Sequence, residues 1–269
     1  MGDHDARVEA AVRDHYETTD NFERRRGLND FAVGTPPHRL LLDHFDWAPD
    51  AVVLDVGCGH GVWAAQAAAR TPHGAVVGID ASYGMLEAAR RRDARVRVVR
   101  ADGNVLPMRD ASADVVLAAW MLYHVDLLRA LPEFVRVLKP GGRCIATTSD
   151  AELMPGLEDL MRDAAFEVTG RAVRSPLGHL RFNVENGADA LRQAFSQVEP
   201  IVHETHYEVP VAAPILEFVE SLRAPVSARV GAGLDFDAFL AAVEQRLEAR
   251  LRDKPIAMVR HTAFFIAYP

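Results

Sequence analysis

The run Val52-Val53-Leu54-Asp55-Val56-Gly57-Cys58-Gly59-His60-Gly61 limits this chain more than any other stretch. Four aliphatic or β-branched residues around one acid read as a strand buried on both faces, the kind found inside parallel sheets. Glycine then falls at every second position, and an Ala-rich segment from Trp63 to Arg70 reads as a helix, because Ala leads the helix propensity scale. Strand, glycine loop and helix form the first turn of a doubly wound sheet, where a nucleotide-like ligand meets the carboxyl ends of the strands. Residues without Cβ atoms let the backbone approach that ligand closely.

Spacing narrows the ligand. A dinucleotide fingerprint requires G-x-G-x-x-G, and its third glycine would fall on Val62. The chain has Gly57, Gly59 and Gly61 instead, with Asp55 two residues ahead. Ala75-Val76-Val77-Gly78-Ile79-Asp80 reads as the second strand, closed by an acid about twenty residues beyond the glycines, where a carboxylate accepts from ribose hydroxyls. The competing use of Asp80 as a helix N-cap is weakened by Ser82, which suits that position. Met85, Leu86 and Ala89 give the next helix an apolar stripe that serves the core or a cofactor wall. The third strand, Val96 to Arg100, ends in Asp102-Gly103, which is either a plain turn or an acceptor for an exocyclic amine beside a close-approach glycine. Asp114 to Ala119 is the fourth strand and runs into Trp120-Met121-Leu122-Tyr123-His124-Val125. A helix through Leu131, Phe134, Val135 and Leu138 is expected to stop at Lys139-Pro140-Gly141-Gly142, before a fifth strand from Arg143 to Thr148. Strands and helices in alternation give right-handed βαβ units and a parallel sheet.

The glycine loop, Asp80, Asp102-Gly103 and Leu138-Lys139-Pro140-Gly141-Gly142 stand in one order, and in that order the chain resembles class I S-adenosylmethionine-dependent methyltransferases. Within them it is similar to the ubiquinone/menaquinone-type enzymes, and Met121 to Val125 with Glu185-Asn186-Gly187 looks like a group of bacterial small-molecule methyltransferases (the methyltransferase type 11 subgroup). The resemblance centres on residues 50–150. It implies an α/β fold: a doubly wound, Rossmann-like, mostly parallel seven-stranded sheet whose last strand is antiparallel, supplied here near 258–267. It also implies S-adenosyl-L-methionine as cofactor, with Gly57 and Gly59 lining the methionine portion, Asp80 the ribose, and Asp102 with Gly103 the adenine. Asp55, Cys58, Ala81, Met85 and Trp120 complete the expected cofactor contacts. Asp126 directly after Val125, and a partial match over Asn21 to Leu28, depart from the subgroup pattern and bear on the acceptor rather than the cofactor.

Outside this core the pattern is less regular. Residues 1–45 are polar and helical in period, broken at Gly34-Thr35-Pro36-Pro37, and read as a cover for one sheet face or as a lid over the cofactor. Residues 46–150 are the cofactor-binding core. Residues 151–269 supply helical insertions at 215–222 and 236–251, strands at 201–209 and 258–267, and a roof for a pocket to which Phe166, Phe182 and Phe218 contribute. No linker divides these parts.

An electrophilic methyl group chiefly needs an oriented nucleophile. An amine or acidic phenol needs little else, whereas an alcohol or unactivated carbon needs a base. Trp120 and Tyr123 are expected to wall or orient the acceptor; His124 is a base candidate that competes with a structural hydrogen-bonding role, and Tyr16 and His179 are weaker candidates. The favoured transfer is to nitrogen or oxygen of a metabolite, as in natural-product tailoring in secondary metabolism. Methylation of RNA or protein, and nucleotide binding without transfer, are the competing readings. With 30 basic and 38 acidic residues, a net charge of −8 and a pI near 5.8, no broad nucleic-acid or anionic-membrane surface is expected. A homo-oligomer stays open. Cys58 and Cys144 are too few for a disulfide framework, and no His, Cys, Asp or Glu cluster suggests a metal. Without an apolar leader or a long apolar run, the expected location is cytoplasmic.

Overall fold

A computed structural model of the protein describes residues 27–34, 45–152, 154–173, 175–176, 180–231 and 233–269. The chain divides into two compact units that its backbone enters more than once. One comprises Pro37–Ala151, Leu180–His203 and His261–Pro269, and the other Met1–Pro36, Glu152–His179 and Glu204–Arg260. Of the expected helical cover over residues 1–45, residues 1–26 and 35–44 lie outside the described residues.

The short strand β1 (Ala32–Val33) belongs to the second unit. The first unit is built on β2 (Val52–Val56), α1 (Val62–Arg70), β3 (Ala75–Asp80), α2 (Tyr83–Arg92), β4 (Val96–Arg100), β5 (Ala113–Ala119), α3 (Leu127–Val137) and β6 (Leu138–Ser149). Strand β2 pairs in parallel with β3 and β5, β3 with β4, and β5 with β6. Order reverses at β2, since β3 and β4 extend to one side and β5 and β6 to the other. Such a switch point opens a crevice at the carboxyl ends of the strands.

Alternate side chains explain why these runs are apolar throughout. Leu54, Val56, Val77, Ile79, Val116 and Ala118 face one core, with Leu131 and Phe134 of α3. Val53, Val76, Val115 and Leu117 face another, with Ala64, Ala67 and Ala68 of α1. A strand covered on both faces has no polar side.

Strand β7 (Gln197–Val209) and β8 (Ile256–Tyr268) complete a sheet in the order β1-β7-β8-β6-β5-β2-β3-β4. As expected, the last strand is antiparallel to its neighbour, with Cys144 opposite Ala267 and Ser149 opposite Thr262. Among the described residues the strands number eight rather than seven. The extra one is β1, whose Ala32 and Val33 pair antiparallel with Tyr207 and His206.

One boundary shifts. Helix α3 ends at Val137, and Leu138 takes an extended conformation as the first residue of β6 rather than the last of the helix. Leu138 pairs with Ala113, an irregularity follows, and Arg143 then pairs with Val115, so Lys139 to Gly142 form a break within the strand instead of a helix cap.

The other unit packs α4 (Pro155–Thr169), α6 (Ala213–Glu220), α7 (Arg223–Val230) and α8 (Phe236–Leu251) around Leu160, Met161, Phe218, Phe239 and Val243. Its strand residue Tyr207 is fully buried in the same core. The short helix α5 (Gly187–Leu191) belongs to the first unit, after a turn at Val184 to Asn186. Among the described residues no helix is long and apolar enough to cross a membrane.

Phe134 is wholly buried beneath the sheet. Phe134→Ala is expected to lower stability by about 3–5 kcal/mol through lost burial and the cavity left behind. Urea unfolding checks this, with Val211→Ser at an exposed site shifting the midpoint by no more than about 0.5 kcal/mol.

Candidate active site

The crevice is organised by the loop after β2. The amides of Gly57 and Cys58 both donate to the Ile79 carbonyl, at 2.7 and 3.0 Å, which fastens the loop to β3. Gly57 has φ +67°, and a Cβ there would lie 2.6 Å from Cβ of Met121, so no larger residue fits. Gly59, at φ +52°, faces the opposite situation, because no atom lies within 4 Å of where its Cβ would be.

Asp80 closes the loop from the other side. Its Oδ2 accepts from the Gly59 amide and its Oδ1 from the Ser82 amide, both at 2.9 Å. Ser82 itself caps α2 by accepting from the Met85 amide, as expected. Ala81 is exposed and its carbonyl accepts from Nε of Arg100, while the Met85 side chain is buried.

Asp55 lies at the heart of the loop, fully buried, and neither carboxylate oxygen has a hydrogen-bond partner. Burial first, and the Asp80 charge second, push its pKa up to about 8. The Ala64 amide at the start of α1 pulls the other way without reaching hydrogen-bonding geometry. Burial, then Asp55 and Asp80, also drive the Cys58 thiol far above its usual value, so Cys58 is a packing residue and not a nucleophile.

Asp102 is exposed after β4, and its Oδ1 accepts from the amide and side chain of Asn104, each at 2.9 Å. A Cβ on Gly103 would crowd Met121 and Val125 at 3.1 and 3.2 Å. At the end of β5, Trp120 takes φ +52°, a left-handed conformation that costs an ordinary residue roughly 1–2 kcal/mol. Three contacts hold it there. Its amide donates to the Thr147 carbonyl, its Nε1 donates to Oγ of Ser149 at 3.1 Å, and its ring stacks on Trp63 with centroids 5.7 Å apart. Tyr123 and His124 follow in a 3-10 turn, with rings edge-on at 4.4 Å and His124 exposed.

Part of the chain is similar to known proteins. A methyltransferase domain model matches residues 54–146. A demethylmenaquinone methyltransferase of Staphylococcus aureus is 32% identical over 160 residues, spanning 58% of this chain and 66% of that protein. An uncharacterised 37.1 kDa protein in transposon TN4556 of Streptomyces fradiae is 39% identical over 145 residues, spanning 51% of this chain and 42% of that protein. Over residues 54–146 the chain thus carries a methyltransferase domain and is similar to class I S-adenosylmethionine-dependent methyltransferases. It thus spans less than two thirds of the length of these curated relatives. Among solved structures, a geranyl diphosphate C-methyltransferase from Streptomyces coelicolor A3(2) aligns with a TM-score of 0.50 at 19% identity, over 87% of this chain and 78% of that one. Likeness at that identity speaks to the fold alone.

Of the positions singled out in the methyltransferase motifs, Asp55, Gly57, Cys58, Gly59 and Asp80 come together in one loop, and Gly103 meets it through Met121. Tyr16 and His179 lie outside the described residues. The expected aromatic roof is corrected. Phe182 is wholly buried, edge-on to Phe265 at 5.6 Å; Phe218 is buried in the core of the other unit; and Phe166 is exposed on α4. Both buried rings pack into the cores of their units.

The structure adds a pair that sequence reasoning missed. Nδ1 of His261 lies 3.1 and 3.3 Å from the two oxygens of Asp150, and the His261 amide donates to Oδ2 at 2.7 Å. Asp150 directly follows β6 and His261 lies in β8, so only the antiparallel register brings them together. Among the described residues no group of three His, Cys, Asp or Glu is placed to hold a metal ion.

The buried acid gives the protein's stability a pH dependence whose sign follows from its raised pKa. Folding raises the Asp55 pKa from 3.8 to about 8, so the folded chain favours the protonated form. That contribution is full below about pH 4 and is lost as pH rises towards about 8. Asp55→Asn should therefore raise the unfolding free energy from urea titration by on the order of 2–4 kcal/mol more at pH 8 than at pH 5. Equal gains at both pH values would contradict the assignment.

Proposed function

We propose that this protein transfers a methyl group from S-adenosylmethionine to a nitrogen or oxygen atom of a compact metabolite. The observation that carries the reading is the Asp55–Gly59 loop. A fully buried carboxylate without a partner, Asp55, ends the strand whose glycine loop is open at Gly59 and is anchored there by a second acid, Asp80. That combination suits a ligand that brings positive charge and hydroxyl donors together. When bound, S-adenosylmethionine supplies an electrophilic methyl carbon on a sulfonium.

In this reading the backbone at Gly57 and Gly59 follows the methionine portion, Asp80 accepts from the ribose, and Asp102 with Gly103 borders the adenine. Cys58, Ala81 and Met85 shape the same wall through packing and main chain. Trp120 orients the acceptor, held by Ser149 and Trp63. Tyr123 and His124 border the same strand end. The names of a menaquinone-type relative and of a geranyl diphosphate C-methyltransferase support a small-molecule acceptor. The net charge of −8 disfavours a nucleic acid. Two buried free thiols, Cys58 and Cys144, suit a reducing, cytoplasmic setting.

Calorimetry with S-adenosylmethionine and with NAD tests the ligand class, and a methyl-transfer screen against metabolite extracts, read as a mass gain of one methylene, tests the reaction. Asp80→Ala removes an acceptor and also unties Gly59 and Ser82, so it should weaken S-adenosylmethionine binding by roughly 1.5–3 kcal/mol. Unchanged affinity in the folded variant removes Asp80 from the site. Trp120→Ala should cut acceptor kcat/KM by about 100-fold, the scale of a small misplacement of reacting groups. Its cofactor affinity should stay within a few-fold of the parent, and a larger loss of cofactor than of acceptor would refute the orienting role.

A further inference from the structure

The geometry points to His261, positioned by Asp150, as the general base of this protein, and hence to an acceptor that reacts through a hydroxyl or another weakly acidic group. The inference rests on the methyl-transfer reading above and deepens it.

The pair is built by the sheet itself. The last paired rung of β6 and β8 is Ser149 opposite Thr262. Asp150 and His261 stand one step further, where β6 runs out at its carboxyl end. Strands β2, β5 and β6 run parallel, so this is the same end of the sheet that carries the Asp55 loop and Trp120. The link to Trp120 is direct, because Ser149, which takes the indole N–H, is the residue before Asp150.

The carboxylate grips the histidine at two points. One is the main-chain amide at 2.7 Å and the other is ring Nδ1 at 3.1 Å. Binding backbone and ring of one residue fixes the side-chain rotamer as well as the ring plane. A carboxylate only accepts, so Nδ1 carries the hydrogen and the basic lone pair sits on Nε2. Asp150 is mostly buried, with 13% of its side chain exposed, whereas 40% of the His261 side chain is accessible. A sheltered carboxylate behind an accessible imidazole is the arrangement in which a second group sets the tautomer of a base.

The step balances as written. The acceptor oxygen forms its bond to the methyl carbon while the carbon–sulfur bond breaks and its electron pair passes to sulfur. The hydroxyl proton passes to Nε2 of His261, and the resulting imidazolium is stabilised by Asp150 until the proton leaves to solvent. Sulfonium and neutral alcohol thereby become thioether, ether and one proton. Asp150 acts through His261 and is a positioning residue.

Two measurements test this. First, long-range proton–nitrogen NMR of 15N-labelled protein, taken where the ring is neutral and assigned with His261→Gln, reports which nitrogen carries the hydrogen. The expected result is protonated Nδ1 and bare Nε2, with a mixture of tautomers in Asp150→Asn; a ring protonated at Nε2 overturns the proposal. Second, initial rates of methyl incorporation into the metabolite extract are followed with methyl-tritiated S-adenosylmethionine. His261→Ala and His261→Gln should each lose at least about 100-fold, the lower range for general-base catalysis, and Asp150→Asn about tenfold or more. Calorimetric affinity for S-adenosylmethionine should stay within twofold, which also reports that the variants are folded. Rates within threefold of the parent in both His261 variants overturn the role, as does a large loss in His124→Ala alone. If the parent protein methylates nothing in the extract, the methyl-transfer reading falls and takes the base with it, whereas a normal parent rate with unaffected His261 variants removes the base alone.

Discussion

One carboxylate ties the loops of two strands into a single surface. Asp80 gives one oxygen to the Gly59 amide and the other to the Ser82 amide, so the β2 loop and the start of α2 share an anchor at the end of β3. The Ile79 carbonyl, one residue earlier, takes the Gly57 and Cys58 amides. These four bonds place Asp55 beneath the loop with nothing to bond to. The fold thus spends hydrogen bonds on shaping the loop while leaving one buried acid unsatisfied. An uncompensated buried carboxylate is costly, and the raised pKa of Asp55, caused by burial and then by the Asp80 charge, favours the protonated form that lowers that cost.

How much of this was legible in the sequence varied with how local the cause was. Strands β3 and β4 match their expected limits because their apolar runs are bounded by acids and turns within a few residues. The Ser82 cap was legible for the same reason. The end of α3 was not, since Leu138 has helical neighbours on one side and is drawn into β6 only by pairing with Ala113, a contact across the sheet. Composition also misled at Phe182 and Phe218. An aromatic residue far from any motif can line a cavity or fill a core, and both fill cores here.

The pair Asp150 and His261 is the sharpest case. Each residue alone carries no signal, and 111 positions separate them. Their meeting depends on the register of an antiparallel pair, which a shift of one residue would destroy. The division into two units was hidden similarly. Each unit draws on three separate segments, so no Pro- or Gly-rich linker marks a boundary.

The position of β8 has a consequence for the order in which the molecule is made. Its partner β6 is complete at Ser149, yet β8 begins only at Ile256, about a hundred residues later. Until then one edge of β6, with Cys144, Ile145 and Ala146 at its centre, has no β8 to pair with. An open apolar edge is a template for pairing with other chains, and contacts so distant in sequence form late. During synthesis the parallel strands must therefore wait with an uncovered flank, and the protein's exposure to aggregation is greatest just before its final strand arrives.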